Sequence, residues 1–193
     1  MKDIDKLNNF LKESIEAKEQ FVNTHAHTFF NMATSLIERL KAGKMIFIVG
    51  NGGSAADAQH FAAELVGRFE QERKALKCIA LTTDTSVLTA LSNDHGFNTV
   101  FERQIEALGK SGDVLIAIST SGNSSNILYA ATKAKTIGLY VVGLTGKGGG
   151  KLKNMVDVLL DVPIDVSIPR IQEVHIFALH VLAYKIEEAF SLP

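Results

Sequence analysis

Cysteine is nearly missing from this chain: Cys78 is the one thiol in 193 residues. It cannot form an internal disulfide, so a disulfide-stapled scaffold is excluded and a reducing compartment fits. Set in an apolar run, Cys78 reads as a small buried hydrophobe. An excess of charge is missing too. Acidic and basic residues number 21 and 20, and no basic tract supports a nucleic-acid partner. No apolar stretch approaches the roughly 18 residues needed to span a bilayer, and the charged start Met1-Lys2-Asp3-Ile4-Asp5-Lys6 is no targeting segment. Tandem repeats, low-complexity tracts and linkers are absent. The expectation is a soluble, cytoplasmic protein with no membrane and no nucleic-acid partner. It is one domain over 1–193, with a helical arm at 1–43 and an α/β core at 44–193.

What is present begins with two amphipathic helices predicted between about Asp3 and Ala42. Leu7, Phe10, Leu11, Ile15 and then Phe29, Met32, Leu36, Ile37 and Leu40 fall near helical spacing, and Gly43 is a C-cap. Their apolar faces need a partner, and a second subunit is expected to supply it. His25 and His27, near the break between the helices, read as surface or cap residues. From Lys44 onward strands and helices alternate. Strands are expected at 45–49, 77–82, 113–118, 139–145 and 156–162. Helices are expected at 54–69, after an Asp84 or Ser86 cap to about Leu91, at 100–108, from near Ser124, and from Arg170 to Phe190, opened by Pro169. Asn93-Asp94-His95-Gly96 reads as a turn. Apolar strands separated by helices predict a five-stranded parallel sheet covered on both faces, with ligands beyond the strands' carboxyl ends.

Two of those ends are unusual. Gly50-Asn51-Gly52-Gly53-Ser54 joins an apolar strand to a helix, which places free backbone N–H groups and a helix's positive end at one point, an anion site. On the same helix His60 and Glu64 are four residues apart and share a face, as a reaction centre or as ordinary polar side chains. Ser119-Thr120-Ser121-Gly122-Asn123-Ser124-Ser125-Asn126 is a second, hydroxyl-dense loop, more than an N-cap requires, and suits a phosphate or sugar. Gly50-x-Gly52-x-x-Ala55 also satisfies the loose dinucleotide pattern. The nearest acidic candidate for a ribose, Asp84, lies some 30 residues on rather than about 20, and two polar loops describe a sugar phosphate held at both ends more naturally.

With both loops in hand, the chain resembles the sugar isomerase (SIS) family. The matching motifs are Gly50-Asn-Gly-Gly-Ser54, His60-Phe-x-x-Glu64-Leu65, Asn93-Asp94, Ser119-Thr-Ser-Gly-Asn-Ser124, Leu144-Thr-Gly146 and Arg170-Ile-Gln-Glu-x-His175 with His180, in order between about residues 44 and 188. The resemblance implies a flavodoxin-like SIS fold, a homotetramer and interconversion of sedoheptulose 7-phosphate with D-glycero-D-manno-heptose 7-phosphate, toward ADP-heptose for lipopolysaccharide core or related glycans. It implies substrate contacts at Asn51, Gly52, Gly53, Glu64, Asn93, Asp94, Ser119, Thr120, Ser121, Ser124 and Gln172. It also implies one zinc ion per subunit on His60, Glu64, Gln172 and His180.

Such an isomerisation moves a proton between adjacent carbons through an enediol, for which Glu64 is assigned as base and His180 as acid, with zinc polarising the carbonyl. Whether those two ligate, carry protons or do both is open. Gln172 and His180 lie about 12 Å apart along one helix, so a site at a subunit interface, with ligands from more than one chain, is expected. His175 reads as structural, His95 as lining the mouth, and Arg68 as either a substrate contact or a surface ion pair. Ser54–Phe61 and Thr82–Thr89 also resemble a SIS protein that binds the bacterial replication initiator and has no known isomerase role. Pro169 departs from the isomerase pattern. That non-catalytic alternative lacks the acid and imidazole that this chain carries at Glu64 and His180.

Overall fold

The computed structural model describes residues 2–191. Five parallel strands stand in the order β2-β1-β3-β4-β5: β1 Ile46–Val49, β2 Cys78–Ala80, β3 Val114–Ser119, β4 Tyr140–Thr145 and β5 Val158–Asp161. β1 pairs with β2 on one side and β3 on the other. The order therefore reverses between β1 and β3, and a crevice opens there beyond their carboxyl ends.

The strands are buried on both faces, and alternate residues divide between two cores. Ile46, Ile48, Ile116 and Leu144 face α1 (Lys2–Lys41), α2 (Gly53–Val66) and α6 (Ile168–Phe190). Phe47, Val49, Leu115 and Val141 face α4 (Glu102–Leu108) and α5 (Ser125–Thr136). α3 (Thr85–His95) borders this second layer through half-buried Leu88 and Leu91 but fully buries none of its residues.

Four expectations about elements change. The arm is one 40-residue helix rather than two. No Gly or Pro interrupts it, and the weak helix formers Asn23, Thr24, His25, His27 and Thr28 cost only tenths of a kcal/mol each, while Phe21, His25 and Phe29 are buried at i, i+4 spacing. His25 is accordingly not a surface residue: its Nε2 lies 2.8 Å from the Asp161 carbonyl oxygen and 3.1 Å from Asp161 Oδ1. Asn93, Asp94 and His95 form the last turn of α3, and the backbone turns at Gly96, φ +84°. The helix expected at 100–108 is a 3-10 turn at 97–99 followed by α4. α2 stops at Val66, so Arg68 lies beyond it.

Candidate active site

β1 and β3, the strands flanking the reversal, carry the two polar loops. Their link is a reciprocal pair of amides. Asn51 Nδ2 donates to Asn126 Oδ1 at 2.9 Å, and Asn126 Nδ2 donates to Asn51 Oδ1 at 2.8 Å. Asn126 is buried, so an unpaired amide there would be costly, and the pairing fixes one loop against the other. In the sequence Asn126 reads only as part of a polar run, because a pairing across 75 positions leaves no local signal.

The first loop turns at Gly52, whose φ of +54° favours glycine. α2 then starts with no side-chain cap, as does α5 after Ser124, whereas Asp84 caps α3 by accepting from the Val87 N–H at 2.9 Å. Uncapped starts leave backbone N–H groups for an anion. In the second loop Ser119 is buried and its Oγ donates to Ser124 Oγ at 3.1 Å; Thr120 is half-buried and Ser121 exposed. Gly122 is pressed onto the glycine-rich turn at 146–150: a Cβ there would stand 2.1 Å from the Gly149 carbonyl oxygen. The Gly146 N–H donates to the Thr120 carbonyl at 2.9 Å, which anchors the loop to the end of β4.

α2 and α6 lie side by side and run the same way. Gly53 faces Gln172, whose Nε2 is 2.7 Å from where a Cβ on Gly53 would be. Two turns on, His60 Nε2 lies 3.0 Å from Glu64 Oε1 and 3.1 Å from His180 Nε2. His60 is 47% exposed and Glu64 22%. Two acceptor-capable atoms thus converge on one nitrogen. If His60 Nε2 carries a proton it is shared between the carboxylate and the second ring; without one, lone pairs face each other. The neutral His60 tautomer with its proton on Nε2 satisfies the contact by donating to the carboxylate, and two imidazoles with a carboxylate are also a donor set zinc uses in catalytic sites. The three form an open chain with His60 in the middle, and among the described residues no group of three or more His, Cys, Asp or Glu is placed so that it could hold a metal ion.

Within one chain, then, His60, Glu64 and His180 come together, while Gln172 stands by Gly53, roughly 10 Å up the helix pair. Asn93 and Asp94 are exposed and bond to each other, Nδ2 to Oδ1 at 2.8 Å, and neither makes a hydrogen bond to the two loops among the described residues. His95 is exposed beside them. Arg68 pairs with Glu72 at 3.2 Å on the surface. His175 is fully buried and its Nε2 lies 3.0 Å from the Thr145 carbonyl oxygen; burial pushes its pKa down to about 4, against the opposing pull of that hydrogen bond. Burial likewise pushes the Cys78 thiol far up, so it stays protonated.

The SIS domain family model matches residues 9–146. A phosphoheptose isomerase of Campylobacter concisus is 50% identical over 187 residues, 95% of this chain and 98% of that one. The chain belongs to the SIS domain family, on its phosphoheptose isomerase branch. Solved structures of SIS-family relatives agree with this SIS fold. A phosphoheptose isomerase from Francisella tularensis superimposes with a TM-score of 0.93 at 39% identity, covering 97% of this chain and all of that one. The enzyme from Neisseria gonorrhoeae gives 0.89 at 43%, covering 95% and 98%.

Proposed function

We propose that this SIS protein is an aldose–ketose isomerase that interconverts sedoheptulose 7-phosphate and D-glycero-D-manno-heptose 7-phosphate, in the synthesis of heptose precursors for lipopolysaccharide core or related glycans. The observation that carries the reading is the convergence of Glu64, His60 and His180 on α2 and α6, on the helix that starts at the first loop. The relatives named phosphoheptose isomerase, about half identical over nearly the whole chain, support it. The two loops, with their uncapped helix starts, suit the phosphate and hydroxyls of the sugar.

In the ketose-to-aldose direction Glu64 takes a proton from C1 and returns it to C2. His180 moves the compensating proton, from the C1 hydroxyl to the C2 carbonyl oxygen, so the substrate gains and loses nothing. His60 holds both partners in register by bonding to each. The residues that would hold zinc in the expected set are His60, Glu64, Gln172 and His180; within one chain Gln172 stands roughly 10 Å from the other three, so the set would need ligands from more than one copy. Bound there, the ion would polarise the carbonyl and stabilise the enediolate charge.

A homotetramer with sites at subunit interfaces goes with this reading. Two observations support it: the bare apolar face of α1, where Leu7 and Phe10 are 68% and 56% exposed, and α3, which carries Asn93 and Asp94 yet fully buries none of its residues. A cytoplasmic setting goes with the buried, free Cys78. No helix among the described residues is long and apolar enough to cross a membrane.

The test is conversion of sedoheptulose 7-phosphate by the purified full chain. Turnover is expected with zinc, is lost on chelation and returns on adding zinc back. Glu64→Gln and His180→Gln should each fall by about 100-fold or more. Full turnover in chelator would remove the metal from the proposal. No turnover with zinc supplied, together with binding to the replication initiator, would favour the non-catalytic SIS reading.

A further inference from the structure

Beyond the reactive array, α6 carries a buried carboxylate that the reaction does not use. Glu187 lies seven residues past His180, two turns along the same helix, and is 2% exposed. Its carboxylate accepts three backbone N–H groups, from Phe69 at 2.8 Å, Glu70 at 2.7 Å and Gln71 at 2.9 Å. Those residues belong to the segment between α2 and β2, which has no helix or strand of its own. Beside it stands Arg73, whose side chain is 1% exposed, with Nε 3.5 Å from Glu187 Oε1. Arg73 Nη2 donates to the carbonyl oxygen of Glu64 at 2.6 Å, and Nη1 donates to that of Leu65 at 2.8 Å.

Both ends of this arrangement reach the reactive array. Arg73 grips the backbone of Glu64 itself, where the last carbonyls of α2 lack helical partners. Glu187 holds the loop that lays the Phe69 ring against His180, with ring centroids 5.8 Å apart at 38°. We propose that Glu187 and Arg73 are positioning residues that lock α2 to α6 and so fix Glu64 and Phe69 relative to the His180 imidazole. A buried carboxylate that accepts three N–H donors and stands in ion-pair range of a guanidinium is stiff: removing one partner leaves the others buried and unpaired, so the geometry has little freedom to drift. A loop that needed only to be covered would not require a buried ion pair whose guanidinium spends its donors on the carbonyls of a neighbouring helix.

The inference rests on the isomerase reading for its kinetic readout but not for its spectroscopic one. Kinetics on sedoheptulose 7-phosphate with Glu187→Gln, Arg73→Lys and Phe69→Leu should show kcat reduced roughly 10- to 100-fold with KM within about twofold, since the reacting groups move while the sugar's loops do not. The His180 ring-proton NMR signals should shift in Glu187→Gln and Arg73→Lys as Phe69 leaves the ring. Folded variants that keep both the kcat and the His180 signals of the parent, with only a lower melting temperature, would overturn the proposal. Should Glu187→Gln fail to fold, Arg73→Lys and Phe69→Leu decide the matter. Should the parent show no turnover, or His180→Gln keep it, the isomerase reading fails, and the NMR signals alone judge the clamp.

Discussion

His175 shows how a single buried side chain imposes a pH dependence on the whole. In the folded protein this imidazole stays neutral until about pH 4, whereas in the unfolded chain it takes up a proton near 6.5. Between those values the unfolded state binds more protons, so stability falls as pH falls. From pH 7 to pH 5 the loss from this residue is about 2 kcal/mol, and it should show as a lower urea midpoint at pH 5. His175→Gln should flatten that part of the slope; an unchanged slope would mean that the ring titrates normally. His175 reads in the sequence as structural beside the site, and its buried bond to Thr145 fits that reading. His25 reads wrongly as a surface residue. Its partner, Asp161, is 136 positions away, and no local pattern announces a pairing across that separation.

At the scale of elements, the two polar loops differ in what a methyl group would disturb. A Cβ on Gly53 meets only the end of the Gln172 side chain, which can swing aside. Gly53→Ala should therefore fold with a melting temperature within a few degrees of the parent, while turnover drops because Gln172 is displaced. A Cβ on Gly122 meets backbone at Gly149 and Gly150, and its φ of +62° is itself unfavourable for alanine. Gly122→Ala should destabilise by more than about 1 kcal/mol and lower the melting temperature measurably. Equal effects of the two substitutions would contradict this packing.

Much of this layer was legible in advance, because apolar strand runs, Gly-rich ends and the Asp84 cap are local signals. The continuity of α1 was not. Asn23, Thr24 and His25 are weak helix formers, and only tertiary burial of Phe21, His25 and Phe29 carries the helix through them. The register of α6 on α2 was equally hidden. It brings His180 to His60 and leaves Gln172 at Gly53, a matching of two distant helices that the spacing within either one does not encode.

For the molecule as a whole, the sheet and its two layers account for the interior but leave one end of α1 uncovered. Ile4, Leu7, Phe10, Leu11 and Ile15 all stand exposed, on a helix whose later half is well buried. If copies of the chain meet there, sedimentation should give the mass of a four-chain assembly. Leu7→Glu combined with Leu11→Glu should then reduce the mass while leaving the helical signal of each chain in place. A monomeric parent would remove the interface part of the proposed function without touching the array on α2 and α6.

The amide bracket between Asn51 and Asn126 carries no ionisable group, so acid and alkali leave it alone. The trio of His60, Glu64 and His180 lies two turns further along α2 and takes no part in it. A folded protein silenced in its chemistry by Glu64→Gln should therefore go on grasping its sugar phosphate, blocked in turnover and competent in its grip.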